Sequence, residues 1–305
     1  MGDKAMFVDI HAHAYRVPTP FVVRFPSEKE LLERYDECGI EMGFLLPVVN
    51  SEIYLPQANE DILEMAEHHP DRIVPFCNVD PRALSDSSRA PLDRVLAYYK
   101  DRGCRGVGEI MPNLRTDDDR VQNLFRCAEK VGLPVTWDGS DRLGGDFGLY
   151  DEPGLPQYER TLLRFPHLVV FAHGPIFWGE LWKFSAPLLR KPVFNDNAEY
   201  VYGDGDAGSV LGEGRAPALL RRYPNLMGEI SDAAFFLKRD RKRAAAFLSE
   251  FQDRLFFGTD FCGVGMKFEA MDLLLELRDD KMIGETVFQK IARENAIRFF
   301  DLPLK

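Results

Sequence analysis

The chain has 305 residues, 45% of them hydrophobic and 29% charged, with a formal net charge of −11; that length supports a large core, as one barrel or two ordinary domains. The acidic balance, with no long basic run, argues against a nucleic-acid partner. No apolar run reaches transmembrane length, no apolar signal core stands at the N-terminus, and Met6 breaks the myristoylation pattern that Gly2 would open.

The first apolar run, 6–11, leads into Asp9-Ile10-His11-Ala12-His13. Side chains two apart leave a strand on the same side, so His11 and His13 are expected to emerge together, with Asp9 behind them on the same row. Two neutral imidazoles converging on one point suit a divalent transition metal, and a carboxylate behind them suits a group that orients the rings. A helical pattern at 28–38 then precedes a strand at 42–49, a helix at 58–69 a strand at 72–77, and a helix at 92–100 a strand at 105–109 that ends in Glu109. After a helix at 121–131, the run 133–137 ends in Asp138. A helix at 157–165 leads to 168–172, which ends in His173-Gly174. Helices at 216–222 and 241–251 precede strands at 225–230 and 255–259, the last ending in Asp260.

Strand runs such as Leu168-Val169-Val170-Phe171-Ala172 are apolar throughout, as parallel strands covered on both faces require. Eight strands alternating with helices, and no linker rich in Pro, Gly or Ser, predict one α/β domain over 1–305, a (β/α)8 TIM barrel. The rival is a doubly wound sheet, which lacks a Gly-x-Gly-x-x-Gly turn after the first strand. Two stretches interrupt the rhythm and are expected as loop insertions after strands five and six: 139–156, rich in Gly and Asp, and 174–215, with Trp178, Trp182 and a Gly-Asp-Gly-Asp segment. Both would lie on the C-terminal face, as tolerated loops or as walls of a substrate pocket.

Five of these strands end in ionisable side chains at the end where barrel active sites form. One such Asp would be an ordinary helix cap, but five are hard to assign to capping. Glu229, Ser231 and Asp232 end the seventh strand and are read as groups that orient the others or cap a helix. Arg16, Arg115 and Arg142 follow candidate strands, either as clamps for a substrate carboxylate or as exposed surface arginines. Trp178 and Trp182 are candidates to wall a planar substrate, whereas Trp137 should point away from Asp138 and pack. His68, His69 and His167 precede strands, on the face that stabilises a barrel, and are read as structural. The five cysteines (Cys38, Cys77, Cys104, Cys127, Cys262) are odd in number and lack Cys-x-x-Cys spacing, which indicates buried thiols and a reducing cytoplasm.

His11-Ala12-His13, Phe171-Ala172-His173-Gly174 and Phe257-Gly258-Thr259-Asp260-Phe261 together resemble the signature of the amidohydrolase superfamily. The nearest branch is the amidohydrolase-2 group, which includes aminocarboxymuconate-semialdehyde decarboxylase. Tyr223-Pro224-Asn225-Leu226 and the closing stretch Asn295-Ala296-Ile297-Arg298-Phe299-Phe300 resemble that group as well, so the likeness runs from about residue 6 to 302.

The resemblance implies that His11 and His13 are metal ligands and that Asp260 is a ligand that also handles protons. His173 becomes a general acid or base, or a ligand to a second ion. The chain departs from the family at Asp138, where a histidine ligand is usual; an aspartate there makes the site harder and more anionic. Glu109 stands where some members bridge two metals with a carboxylate or a modified lysine. His11, His13, Glu109, Asp138, His173 and Asp260 are therefore the implied ligand set, for one divalent ion or two, zinc before manganese. Such an ion acidifies water and polarises a carbonyl. This leads first to hydrolysis of an amide, ester or lactone of a small carboxylated molecule. The alternatives are non-oxidative decarboxylation of an unsaturated or aromatic acid, and a barrel that has lost catalysis. The resemblance also implies that a homo-oligomer is possible.

Overall fold

The computed structural model describes residues 6–19, 24–53, 55–144, 146–186, 192–194, 200–202 and 208–304. Eight barrel strands follow in chain order: Phe7–Ala12, Ile40–Leu45, Ile73–Pro75, Val107–Ile110, Val135–Trp137, Val170–Ala172, Leu226–Glu229 and Leu255–Phe256. Neighbours pair in parallel, as a run of three strands and a run of five. Backbone hydrogen bonds join both seams. Cys77 N–H donates to Gly106 O (3.0 Å) and Gly108 N–H to Cys77 O (2.9 Å) between strands three and four. Between strands eight and one, Ile10 N–H donates to Phe257 O (3.0 Å) and Asp260 N–H to His11 O (2.8 Å). The fold is the (β/α)8 barrel that the alternation predicts.

Local chemistry sets the element ends. Ser27 and Glu30 form a reciprocal capping box that starts the helix Glu28–Cys38, and Gly39, at φ +81°, ends it in the left-handed conformation glycine adopts freely. The second strand therefore begins at Ile40, earlier than the predicted 42. It stops at Leu45 rather than 49, because Pro47 has no N–H for the ladder. Asp118 caps the helix Asp119–Val131, and Gly132 closes it at φ +73°.

Phe44 of strand two, Phe171 of strand six and Phe76, just after strand three, all meet Phe300 of the closing helix, with ring centroids 4.5, 5.7 and 6.1 Å away. Rings from opposite walls meeting one side chain place this cluster inside the barrel, where it plugs one end. Full burial of each ring is worth about 1.5–3 kcal/mol. Trp137 faces outward and packs on Phe125 (4.8 Å) and Tyr158 (4.3 Å), between the fifth strand and the helix layer.

Both insertions carry small sheets. Gly139–Ser140 pairs with Leu149–Tyr150 after the fifth strand. After the sixth come the short helix Gly174–Gly179 and two antiparallel pairs, Trp182–Phe184 with Val210–Glu213 and Pro192–Phe194 with Tyr200–Tyr202. The Gly-Asp-Gly-Asp segment at 203–206 lies outside the described residues. Among the described residues no helix is long and apolar enough to cross a membrane.

Candidate metal centre

The C-terminal ends of strands one, four and eight bring four donor atoms together. His11 Nε2 lies 3.2 Å from His13 Nε2, 3.4 Å from Glu109 Oε2 and 3.7 Å from Asp260 Oδ1. His13 Nε2 lies 3.3 Å from each of the same two carboxylate oxygens. Donors about 2.0–2.1 Å from one tetrahedral zinc ion stand roughly 3.3 Å apart, so the spacing fits a shared ion. His173 stands beside them, with Nε2 3.3 Å from Glu109 Oε1. A second set, Asp138, His173 and Asp232, offers ligand atoms all within 4.8 Å of one another.

Each imidazole is aimed from behind. His13 Nδ1–H donates to Leu46 O at 2.8 Å. His11 Nδ1–H and His173 Nδ1–H both donate to Glu229 Oε2, at 3.2 and 2.7 Å. With Nδ1 committed as a donor, Nε2 is the nitrogen that each ring turns toward the centre. Asp9 has a different task from the one its row suggests. The strand register shifts between Asp9 and Ala12, and the Asp9 carboxylate accepts from His11 N–H (3.0 Å), Tyr35 Oη–H (2.7 Å) and Thr259 Oγ1–H (2.6 Å). Asp9 thus ties the first strand to the eighth and to the first helix, while the His11 ring is oriented by Glu229. Glu229 carries the same signal in sequence as the other candidates, an acid closing an apolar run, but its partners appear only once strands one, six and seven are side by side.

The electrostatics favour a cation. Five carboxylates (Glu109, Asp138, Glu229, Asp232, Asp260) face three imidazoles (His11, His13, His173), so the set stays negative even with every ring protonated. Burial opposes charge on His11, and so does His173, but the bonds to Glu109 and Glu229 outweigh them and raise its pKa to about 10. Burial likewise opposes charge on His173, yet Glu109, Glu229 and Asp232 hold it well above the ordinary imidazole value. Burial would raise Glu229; the bonds from His11 and His173 prevail and bring it to about 2. Such buried charge is stable only when paired. Asp260 is the most open of the four converging donors, its side chain 19% exposed against 3% or less for the others.

Asp138 is pressed against backbone: a Cβ on Gly174 (φ +84°) would fall 2.1 Å from its Oδ1, and one on Gly148 3.0 Å from its Oδ2. The remaining candidates lie elsewhere. Arg16 is 63% exposed and pairs with Glu64 (3.1 Å) and Asp61 (3.6 Å). Arg115 pairs with Asp117 (2.9 Å) and Glu152 (3.2 Å), and Arg142 with Asp141 (2.9 Å) and Asp146 (3.8 Å). Trp178 is fully buried and donates Nε1–H to Glu229 O at 2.9 Å. His68 and His69 lie beside Glu28.

A family model described as "Amidohydrolase" matches residues 8–302. Among curated proteins no match is found. Solved structures that resemble the chain include an uncharacterised TIM-barrel protein of Bordetella bronchiseptica (20% identity, TM-score 0.64, covering 98% of this chain and 99% of that one). A probable 2-pyrone-4,6-dicarboxylic acid hydrolase of Acinetobacter baumannii, with citric acid bound, is 16% identical (TM-score 0.58; 97% and 100% covered). A 5-carboxyvanillate decarboxylase of Novosphingobium aromaticivorans, complexed with manganese, is 13% identical (TM-score 0.61; 99% and 98% covered). At these identities the likeness carries the fold.

Proposed function

The chain belongs to the amidohydrolase family, and from that premise we propose that it is a metal-dependent hydrolase of a small carboxylated amide, ester or lactone. In this reading His11, His13, Glu109 and Asp260 hold a divalent ion, zinc before manganese. Asp138, His173 and Asp232 are the place for a second. The observation that carries it is the spacing of the four donor atoms, 3.2 to 3.7 Å from one another wherever one is an imidazole nitrogen.

A divalent ion there supplies a Lewis acid that polarises a carbonyl and acidifies water. The protein supplies the proton transfers. Asp260, on the open side of the cluster, accepts the proton of the attacking water. With one ion in the site, His173 is held through Nδ1 as an imidazolium, directs Nε2–H inward and delivers that proton to the departing nitrogen or oxygen. Glu109 faces the paired imidazoles with Oε2 and His173 with Oε1, and so keeps the two proton-handling groups in one frame. The names of two structural neighbours, a dicarboxylic acid hydrolase and a carboxyvanillate decarboxylase, support a carboxylated substrate.

A second reading, non-oxidative decarboxylation of an aromatic acid, draws on a separate observation. Phe25 meets the His13 ring at 6.0 Å, nearly perpendicular, and belongs to an apolar cluster with Tyr15, Val48, Met111 and Phe147. Such a wall suits a flat ring.

The first test is metal content by plasma mass spectrometry on protein purified without chelator or added metal. One or two equivalents of zinc or manganese support the enzyme; apo protein that also refuses both ions favours a barrel without catalysis. Carbon dioxide release without incorporation of labelled water oxygen would move the assignment from hydrolase to lyase.

A further inference from the structure

Glu229 stands apart from the other carboxylates of the cluster. It is completely buried, and a single oxygen, Oε2, receives Nδ1–H of His11 (3.2 Å), Nδ1–H of His173 (2.7 Å) and Oγ–H of Ser231 (2.7 Å). The other oxygen, Oε1, receives Ser231 N–H at 2.7 Å. Gly258 leaves the space that this carboxylate fills: a Cβ there would lie 2.0 Å from Oε1. Trp178 Nε1–H fixes the Glu229 carbonyl at 2.9 Å, so main chain and side chain are both held.

We propose that Glu229 is a shared positioning residue, whose one oxygen sets the tautomer and aim of a metal-ligating imidazole, His11, and of the proton-transferring imidazole, His173, together. The proposal rests on the metal-dependent reading above. Ordinarily each ring would need its own carboxylate or carbonyl behind it, as His13 has in Leu46 O. Here the two rings, 4.3 Å apart between centroids, have one anchor in common. Ion affinity and the placement of the proton donor are therefore not separable by changing that anchor.

An amide cannot take its place. If the carbonyl of Gln faces the imidazoles, its NH2 faces Ser231 N–H, donor against donor. If the NH2 faces the imidazoles, each Nδ1 must accept, which forces Nε2–H to point at the ion. The first orientation breaks the Ser231 bond and takes the anchor's charge away from both rings at once; the second turns both tautomers.

The experiment compares wild type with Glu229→Gln, each labelled with 15N-histidine and loaded with zinc. Only six histidines contribute signals. Wild type is expected to show two ring Nδ1–H groups hydrogen-bonded to carboxylate. Glu229→Gln is expected to lose both in the same spectrum and to bind zinc about 10–100-fold more weakly. Ser231→Ala, which removes one donor and leaves the carboxylate, should keep both signals shifted and weaken zinc several-fold; this arm stands if Glu229→Gln fails to fold. Loss of only one Nδ1–H signal in Glu229→Gln, or zinc affinity within twofold of wild type, would overturn the shared anchor. Wild type that binds no zinc counts against the metal-dependent reading alone. The anchor is then read in apo protein, where Glu229→Gln must still remove both signals together.

Discussion

His11 Nε2 and His13 Nε2 lie 3.2 Å apart although unrelated groups hold their rings, a carboxylate of the seventh strand behind one and a carbonyl after the second strand behind the other. Two lone pairs at that separation repel, and a proton or a cation between them relieves the repulsion. His11→Ala should therefore lose the ion, with affinity reduced by more than the roughly 100-fold typical of a group behind a ligand. The barrel should persist, since the bonds joining strands eight and one come from the backbone of Ile10, His11 and Asp260. Metal content with circular dichroism checks both parts. A folded variant with full metal content would remove His11 from the ligand set.

Asp260 and its amide analogue separate holding an ion from moving a proton. Asp260→Asn keeps size and one oxygen donor but cannot accept a proton at neutral pH. Turnover of a lactone or ester substrate should fall by about 10²–10⁴-fold, further than metal content does. Equal loss of both would mean that Asp260 serves as a ligand only.

Much of this site could be located in the sequence because barrel geometry turns position into direction. An acid or histidine after a short apolar run marks the end of a strand, and all such ends open on one face. His11, Glu109, Asp138, His173 and Asp260 are found in that way. Pairing across the barrel left no such trace. Nothing local to Glu229 shows that one oxygen will meet residues 218 and 56 positions away. The alternation rule put Asp9 on the histidine row, but a register shift turned it toward Tyr35. The arginines were ambiguous for a related reason: Arg115 and Arg142 find carboxylates within their own rim loops, Asp117 and Asp141. Strand limits moved where a glycine or proline acted, as at Gly39 and Pro47.

Asp151 gives a pH dependence away from the metal centre. It caps the helix Pro156–Arg164, accepting from Gln157 N–H (3.0 Å) and Tyr158 N–H (2.8 Å), yet burial raises its pKa to about 6. The unfolded value is about 3.9, so between pH 4 and 6 the native state binds more protons than the unfolded chain. The contribution of this group is full below about pH 4 and is lost as pH rises through 6, by about 2–3 kcal/mol. Asp151→Asn keeps an acceptor for the helix and does not titrate. Relative to that variant, wild type should gain stability by this amount on going from pH 7 to 4, measured by urea unfolding. A constant difference would mean that Asp151 titrates normally.

Gly174 and Gly154 both have positive φ, +84° and +87°, but only Gly174 has a neighbour in the way. A methyl on Gly174 would strike Asp138 Oδ1 at 2.1 Å and Gly139 N at 3.0 Å; on Gly154 it would meet nothing within 4 Å. Gly154→Ala thus reports the backbone cost alone, about 1–2 kcal/mol. Gly174→Ala adds the overlap, about 1–3 kcal/mol more, and must displace the Asp138 carboxylate that sits beside His173. The difference between the two variants in urea unfolding isolates that contact. If Gly174→Ala costs no more than Gly154→Ala, Asp138 has room to swing aside, and its place next to His173 is one of several it can take rather than one the turn enforces.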